Sequence, residues 1–449
     1  MREIGRRPKV LLTAYACEPI KGSEPGIGWN WVRKLSQFAH IWVFTRANNR
    51  AAIEAALCVE PIPNASFVYY DLPRWARFWK KGSRGVLAYY YLWQLGAYFK
   101  AKRMHRKISF DLVHHLTFGT YWFPVFMAFL PVPFLWGPVG GGESAPPSFW
   151  RSFSTRGKIY ELLRNFGRRR GEIDPFVRAT ARRAVFGIAT TRETEKRLQA
   201  LGCSQTTILS HAAIADEEAA LLRSLSPRRE EPFRVFSVGR LLHWKGFHLG
   251  LWAFAQFHRS HPESEYWLIG DGPERQRLSA MARDLGVQDK VRFCGQLTRP
   301  ETLRSIRDCD VLLHPSLHDS SGWASIEAMA AARPVVCLDL GGPALQVDSE
   351  NGVKIPARDP NQAVNDIACA LARLADNVEL RLELGRASQA RVEQEFNWTC
   401  KADFIQSMYR AILLNREVAP TVNTAINADD SFAMNRVISR VVPERKHNA

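Results

Sequence analysis

Two cations and two carboxylates in the second half of the chain carry the chemistry that can be read first. In Val238-Gly239-Arg240-Leu-Leu-His-Trp-Lys245-Gly246 an arginine and a lysine stand five residues apart, bracketed by glycines, just after an apolar strand-like run. At the carboxyl end of a strand in a doubly wound sheet, a forked guanidinium and a point-like ammonium suit the two phosphates of a diphosphate; the plainer alternative is two solvated surface cations. Further on, Leu313-His-Pro-Ser-Leu-His-Asp319-Ser-Ser-Gly-Trp-Ala-Ser-Ile-Glu327-Ala-Met-Ala reads as a strand ending near His314, a loop through Gly322 and a helix over 323–332, with Ser320 or Ser321 placed to cap it. Asp319 in the loop and Glu327 in the early helix can then face one cleft, where a hydroxyl-rich ligand needs hydrogen-bond acceptors. Attraction to the helix dipole explains Glu327 less well, because it sits beyond the first turn.

The first half offers weaker signals. Gly22-Ser-Glu-Pro-Gly26-Ile-Gly28 follows the first apolar run and leads into a helical stretch over 29–38. Glycines at such a turn let backbone N–H groups approach an anion, or simply allow tight packing, and the spacing is not G-x-G-x-x-G. In Asp111-Leu-Val-His114-His115 either imidazole suits hydrogen bonding near a reacting carbon, the alternative being a packed core histidine.

Taken together these segments resemble family 4 of the retaining nucleotide-sugar glycosyltransferases, whose GT-B fold sets two Rossmann-like domains face to face. The resemblance covers nearly the whole chain: the Gly-rich first turn, Gly-Arg-x4-Lys-Gly at 239–246, Ile269-Gly-Asp-Gly-Pro273, Phe293-Cys-Gly295, His314-Pro-Ser316, Glu327-Ala-Met-Ala and Pro334-Val-Val. It implies that Arg240 and Lys245 neutralise the donor diphosphate and that Glu327 holds the nucleotide ribose. Asp319 stands where the family usually has the first glutamate of E-x7-E, one methylene shorter and near the transferred sugar. His114 falls in the family's Asp-x-Val-His motif, while the position of its second histidine falls on Leu116. The implied donor-binding set is Gly26, Gly28, Gly239, Arg240, Lys245, Ser321, Gly322 and Glu327. His114, Asp319, Glu327, Arg240 and Lys245 form the implied catalytic set. Ala332 replaces a common glycine, and a left-handed alanine there would cost about 1 kcal/mol. Asp308-Cys-Asp310 invites comparison with the metal-binding DxD of other glycosyltransferases, but it leads directly into a strand and reads as structural. No metal or other cofactor is expected beyond the nucleotide-sugar substrate, since cations and helix N-termini can serve the diphosphate.

The elements that position these residues follow from length and pattern. At 449 residues with 46% hydrophobic and 23% charged residues, the chain suits two domains of about 200 residues each. Strand-like runs at 10–16, 41–45, 67–70, 112–115, 132–136 and 186–190, then at 234–238, 265–269, 291–294, 311–314 and 334–338, alternate with helical stretches, the pattern of parallel α/β sheets. The expected organisation is an acceptor-binding domain over 1–216, a linker over 217–232 and a donor-binding domain over 233–390. Helices over 391–420 would pack back toward the first domain, and 421–449 would form a loose tail.

The eight cysteines are scattered without a C-x-x-C pair and read as reduced core residues. The run at 10–16 is too short for a secretion signal, and prolines break the apolar stretch at 118–136 before it could span a bilayer. A cytoplasmic protein is expected, peripheral at the inner face of the membrane if the basic charge is used there. That charge, +17 overall, concentrates at 73–107, with ten basic residues, no acidic one and interleaved aromatics. An anionic membrane carrying a lipid-linked saccharide acceptor fits the pairing; an ordinary helix over 86–107 with inward tyrosines fits it equally. A dinucleotide-dependent oxidoreductase would need G-x-G-x-x-G with an acidic residue about 20 positions on, which neither half supplies. A nucleic-acid binder would share the charge, but no RNA or DNA module accompanies it, so nucleic acid is not an expected partner.

Overall fold

The computed structural model describes residues 6–19, 21, 23–80, 85–225 and 232–414. Lys-Val-Leu-Leu-Thr-Ala is apolar on both faces, a pattern that suits a strand covered by helices above and below. It forms β1 (Lys9–Ala14), buried from Val10 onward. Around it lie β2 (His40–Arg46), β3 (Ala65–Tyr70), β4 (Leu112–Thr117), β5 (Phe134–Val139), β6 (Ala184–Ala189) and β7 (Thr206–Ile208). Their order is β3-β2-β1-β4-β5-β6-β7, and neighbouring strands run parallel. A second parallel sheet repeats the plan with β8 (Arg234–Val238), β9 (Glu265–Ile269), β10 (Val291–Gly295), β11 (Val311–His314), β12 (Val335–Leu338) and β13 (Gly352–Ile355), in the order β10-β9-β8-β11-β12-β13. Two doubly wound Rossmann-like domains are therefore present, as expected for GT-B. Sequence reading misses β7 and β13, which are three and four residues long and only partly buried.

In each sheet the strand order reverses beside its first strand, between β1 and β4 and between β8 and β11. Loops diverge to opposite faces at such a point and leave a crevice at the carboxyl ends of the strands. The two crevices meet. A Cβ added to Gly140, just after β5, would lie 3.0 Å from Ser320 Oγ, in the loop after β11.

Among the described residues, three α-helices tie the domains together. The start of the expected linker is a helix, Asp216–Arg223, whose Leu222 is buried with Leu225, Phe236 and Trp267 on the second sheet; the remainder, 226–231, lies outside the described residues. At the far end, helix Val378–Glu395 stays with the second domain, and helix Trp398–Leu414 returns to the first. The returning helix buries Trp398, Phe404, Ile405 and Tyr409 with Val10, Leu12 and Trp31, and Trp398 meets Trp31 edge-on at 5.4 Å between ring centroids. The expected tail at 421–449 lies outside the described residues. The third connection is helix Thr155–Ile173, which lies across the cleft and is called the strap helix below.

Candidate active site

The loop after β8 is shaped by its glycines. Gly239 has φ +150° and would carry a Cβ 3.9 Å from Lys245 Cε, so the lysine stem passes over it. Gly246 has φ +69°, and a Cβ there would strike the Pro315 carbonyl oxygen at 1.8 Å. Only glycine permits both that backbone conformation and that approach. Leu317 N–H donates to the Trp244 carbonyl at 2.8 Å, which locks this loop to the one after β11.

The lock brings Lys245 to Asp319. Its Nζ lies 2.5 Å from Oδ2, and His314 Nε2 reaches the same oxygen at 3.1 Å. The other oxygen, Oδ1, accepts the backbone N–H groups of Ser321 and Gly322, each at 3.2 Å. Burial alone would favour the neutral acid, but Lys245 and His314 hold the Asp319 carboxyl well below its ordinary value. Burial lowers the pKa of His314 in turn, partly offset by Asp319. Asp319 thus ties Lys245, His314 and its own loop together. Its carboxylate is turned back onto its own loop, not toward a hydroxyl-rich ligand as the sequence suggests. A chain one methylene shorter than glutamate reaches its own backbone and is satisfied there. Ser320 and Ser321 do not cap the following helix, Trp323–Ala330; the capping position is held by Gly322 at φ +57°, and the N–H groups that Ser321 and Gly322 would offer a phosphate are taken by Asp319.

Glu327 is buried in that helix and pairs with Arg299, which also makes two 2.8 Å bonds to Glu218. Burial raises the Glu327 carboxyl above its ordinary value, and the guanidinium beside it pulls the other way. Arg240 is exposed at the end of β8. Among the charged candidates Lys245 and Asp319 meet at the mouth of the second sheet, Arg240 is exposed on the same loop as Lys245, and Glu327 pairs with Arg299.

The first domain departs from expectation. His114 is wholly buried: Nδ1 lies 2.7 Å from Tyr409 Oη, on the returning helix, and Nε2 lies 2.6 Å from the Gly137 carbonyl. Burial lowers its pKa to about 4, so it is a neutral core group with both nitrogens engaged, not an acid or base facing a ligand. His115 is buried too, against Thr13. Gly26 and Gly28 lie inside helix Ser23–Leu35, not ahead of it. A Cβ on Gly28 would meet the Ala16 carbonyl oxygen at 2.2 Å, and one on Gly26 would meet that of Lys21 at 1.9 Å. Tight packing accounts for both. The first turn of the helix already holds Glu24, which accepts the Gly119 N–H at 2.7 Å, and burial raises its carboxyl above the ordinary value. Gly22 lies outside the described residues. Asp310 accepts the Arg234 backbone N–H at 2.8 Å and is buried, consistent with a structural Asp308-Cys-Asp310. No group of His, Cys, Asp or Glu with metal-site geometry occurs among the described residues.

Sequence reading misses two features of the mouth. One is the loop Gly140-Gly-Gly-Glu143 after β5, whose buried Glu143 accepts Thr191 Oγ1 at 2.6 Å, Thr194 Oγ1 at 2.9 Å and Gly141 N at 3.0 Å. Three glycines directly after a strand were the available signal. The other is Glu161 on the strap helix, buried with His243 Nε2 at 2.9 Å and His318 Nε2 at 2.8 Å on one oxygen. Those two bonds hold its pKa near about 2 against the effect of burial. Trp244 stacks between Tyr160 and His318, at 4.8 and 5.3 Å between centroids. Nothing local in the sequence joins residues 161, 243 and 318; only the fold does.

Comparison with known proteins fits this geometry. Residues 221–391 match the family model described as glycosyl transferases group 1. A 2-deoxystreptamine glucosyltransferase of Streptomyces kanamyceticus is 26% identical over 341 residues, covering 73% of this chain and 84% of that protein. A glycogen synthase of Mycobacterium tuberculosis is 29% identical over 184 residues, but the chain spans under half of its length, 44%. The fold is shared with Anabaena HepE, whose crystal structure is a complex with UDP and glucose: 19% identity, a TM-score of 0.58, and coverage of 90% of this chain and all of that one. Residues 221–391 are thus similar to group 1 glycosyl transferases, and the whole chain shares the GT-B fold of the solved structures.

Proposed function

We propose that the protein is a retaining glycosyltransferase that moves a sugar from a nucleotide-diphosphate donor, held mainly by its second domain, to a saccharide or lipid-linked acceptor in the making of a cell-envelope or exported polysaccharide. The observation that carries this is Lys245, an ammonium fixed by Asp319 over a glycine turn at the carboxyl end of β8, at the point where the strand order reverses. A fixed positive charge there stabilises the negative charge that develops on a departing nucleoside diphosphate, and it needs no reorganisation when the bond breaks. Arg240, exposed on the same turn, supplies the second cation. Glu327, braced by Arg299, accepts from the nucleotide ribose. The Gly140–Glu143 loop closes the cleft from the acceptor side, where its bare backbone comes closest to Ser320. Retention follows from the family resemblance. Titrating His114 has no part in the chemistry.

The acceptor is read from surface character. Trp75 and Phe78 are exposed at 78% and 76%, beside the basic residues at 73–80, whereas Tyr89, Tyr90 and Trp93 pack inward. Lys81 and Arg84 lie outside the described residues. Among the described residues no helix is long and apolar enough to cross a membrane, so contact with a bilayer would be peripheral. Incubating the protein with UDP-, GDP- and ADP-sugars plus a lipid-linked saccharide fraction, with and without EDTA, tests the proposal. Sugar transfer that survives the chelator is expected. Absence of transfer or donor hydrolysis with every donor would contradict the assignment, and a loss restored by Mn²⁺ would reinstate a metal.

A further inference from the structure

The strap helix is built inside out. Its buried positions are Gly157, Glu161, Arg168 and Gly171, with Arg164, Asn165 and Glu172 half-buried beside them. Every one is polar or glycine. They are spaced by three and four residues and so form one arc of the helix. Each has work to do there. Gly157 sits against His243, Glu161 bonds His243 and His318, and Arg164 bonds the Glu143 and Gly141 carbonyls at 2.8 and 3.1 Å. Arg168 reaches Ser144, and Gly171 rests on the Trp122 backbone. One half of the helix therefore braces the loops after β8 and β11, and the other braces the glycine loop after β5.

The outward arc is apolar. Ile159, Leu162, Leu163, Phe166 and Ile173 repeat at helical spacing, and Leu163, Phe166 and Ile173 are exposed at 66%, 63% and 70%. Arg156, Lys158 and Arg169 border this stripe and Arg170 lies within it, between Phe166 and Ile173; all four are exposed, while the helix's two acidic residues, Glu161 and Glu172, both turn inward. A continuous apolar stripe on the surface is costly in water and marks a contact site. Cations bordering it, with no outward carboxylate, favour an anionic partner that is apolar within. At its C-terminal end the strap adjoins a shallow apolar groove of about 420 Å³ lined by Leu87, Ala88, Tyr91, Leu92 and Phe123; Tyr91 Oη lies 3.3 Å from Asp174 Oδ2, in the residue that ends the helix.

We infer that the outward face of helix Thr155–Ile173 seats in the plane of an anionic lipid bilayer. It rests on the reading of the protein as peripheral at a membrane, and moves the principal contact from 73–107 to the strap. Docking then holds the element that spans donor and acceptor loops at the lipid surface, where a lipid-linked acceptor arrives. The test is co-sedimentation of the full chain at low salt with vesicles of phosphatidylcholine and phosphatidylglycerol, against vesicles of phosphatidylcholine alone. Thermal melting serves as the folding control, and light scattering reports the oligomeric state. Wild type should bind the anionic vesicles. Leu163→Ser with Phe166→Ser should weaken binding at least about tenfold, and glutamine at 156, 158, 169 and 170 on the order of a hundredfold to a thousandfold. Gln at Arg74, Arg77 and Lys80 should have a smaller effect. Wild-type binding by both strap variants would overturn the inference while leaving the membrane reading in place. Failure of wild type to bind any anionic vesicle would remove both readings. A wild-type dimer that the serine variant turns into a monomer would show the stripe to be a contact between copies, and would overturn the inference as well.

Discussion

The mouths of the two sheets use different materials. At the second sheet the working groups are charged side chains on short loops, Lys245, Asp319 and Arg240, positioned by glycines and by one another. At the first sheet the corresponding positions hold packed glycines and histidines turned into the core, while Gly140 is the point of the glycine loop that meets the other domain, at Ser320. On the proposed function the second half neutralises a diphosphate, which needs fixed charge, and charge near a surface has to be anchored by a partner. The same proposal gives the acceptor to the first half, where backbone and small residues supply shape and room.

The largest expected effect tests that division directly. Lys245→Ala should lower kcat by roughly a hundredfold to a thousandfold, as when a group aimed at developing charge is removed. His114→Gln should change kcat by less than about threefold while lowering stability by about 1–3 kcal/mol, the cost of disturbing a buried hydrogen-bonded group. Steady-state kinetics with denaturant melts separates the two, and a catalytic collapse in the histidine variant at unchanged stability would return it to the reacting centre. A smaller effect is expected at Asp319, which acts through Lys245. Asp319→Ala should cost roughly tenfold to a hundredfold, because Lys245 and the Ser321 and Gly322 N–H groups lose their common anchor. Asp319→Glu should keep part of the rate. A glutamate variant with faster transfer from another donor would instead show direct contact with the sugar.

Acid should reach the first mouth early. His114 and His211 have folded pKa values lowered to about 4, and His115 to about 3, chiefly by burial. The unfolded chain therefore binds more protons below the ordinary value of 6.5. Stability from these groups is complete above pH 6.5 and drains as pH falls toward 4 and then 3. Asp319 and Glu161, lowered among carboxylates, add a second loss below about 4.5. Urea midpoints followed from pH 7 to pH 4 should fall below about pH 6.5. A flat profile down to pH 5 would show that the histidines are open to protonation in the folded state. The smallest effect is at Ala332, held at φ +55°, where Ala332→Gly should raise stability by about 1 kcal/mol if the turn keeps its shape. An unchanged or lowered melt would mean that glycine's freedom in the unfolded chain offsets the relief.

How much of this was legible follows the same line. Parallel strands buried on both faces leave apolar runs, so most strands and both domains can be read from pattern, as at Leu112–Thr117 or Val311–His314. Cations and carboxylates on loops after strands announce themselves, and Gly239, Lys245 and Asp319 do come together. The sequence does not say which way a short acid points, and the difference between Asp319 facing the cleft and facing its own loop is one methylene. Nor does it distinguish a histidine in a strand from one at a strand end. The element that fixes His114 in the core, Tyr409, lies 295 residues away. The Glu161–His243–His318 cluster and the strap's reversed faces are equally nonlocal: an amphipathic pattern shows that a helix has two sides, not which side meets solvent.

The central claim is that Lys245 makes the second-domain mouth a site for a nucleoside diphosphate. It is tested most directly by thermal unfolding of wild type and Lys245→Ala in the presence of UDP-, GDP- and ADP-sugars. One donor at about 100 times its Kd should stabilise wild type by about 2.7 kcal/mol, and the variant at the same concentration by much less. Equal stabilisation of both proteins, or none by any donor, would contradict it.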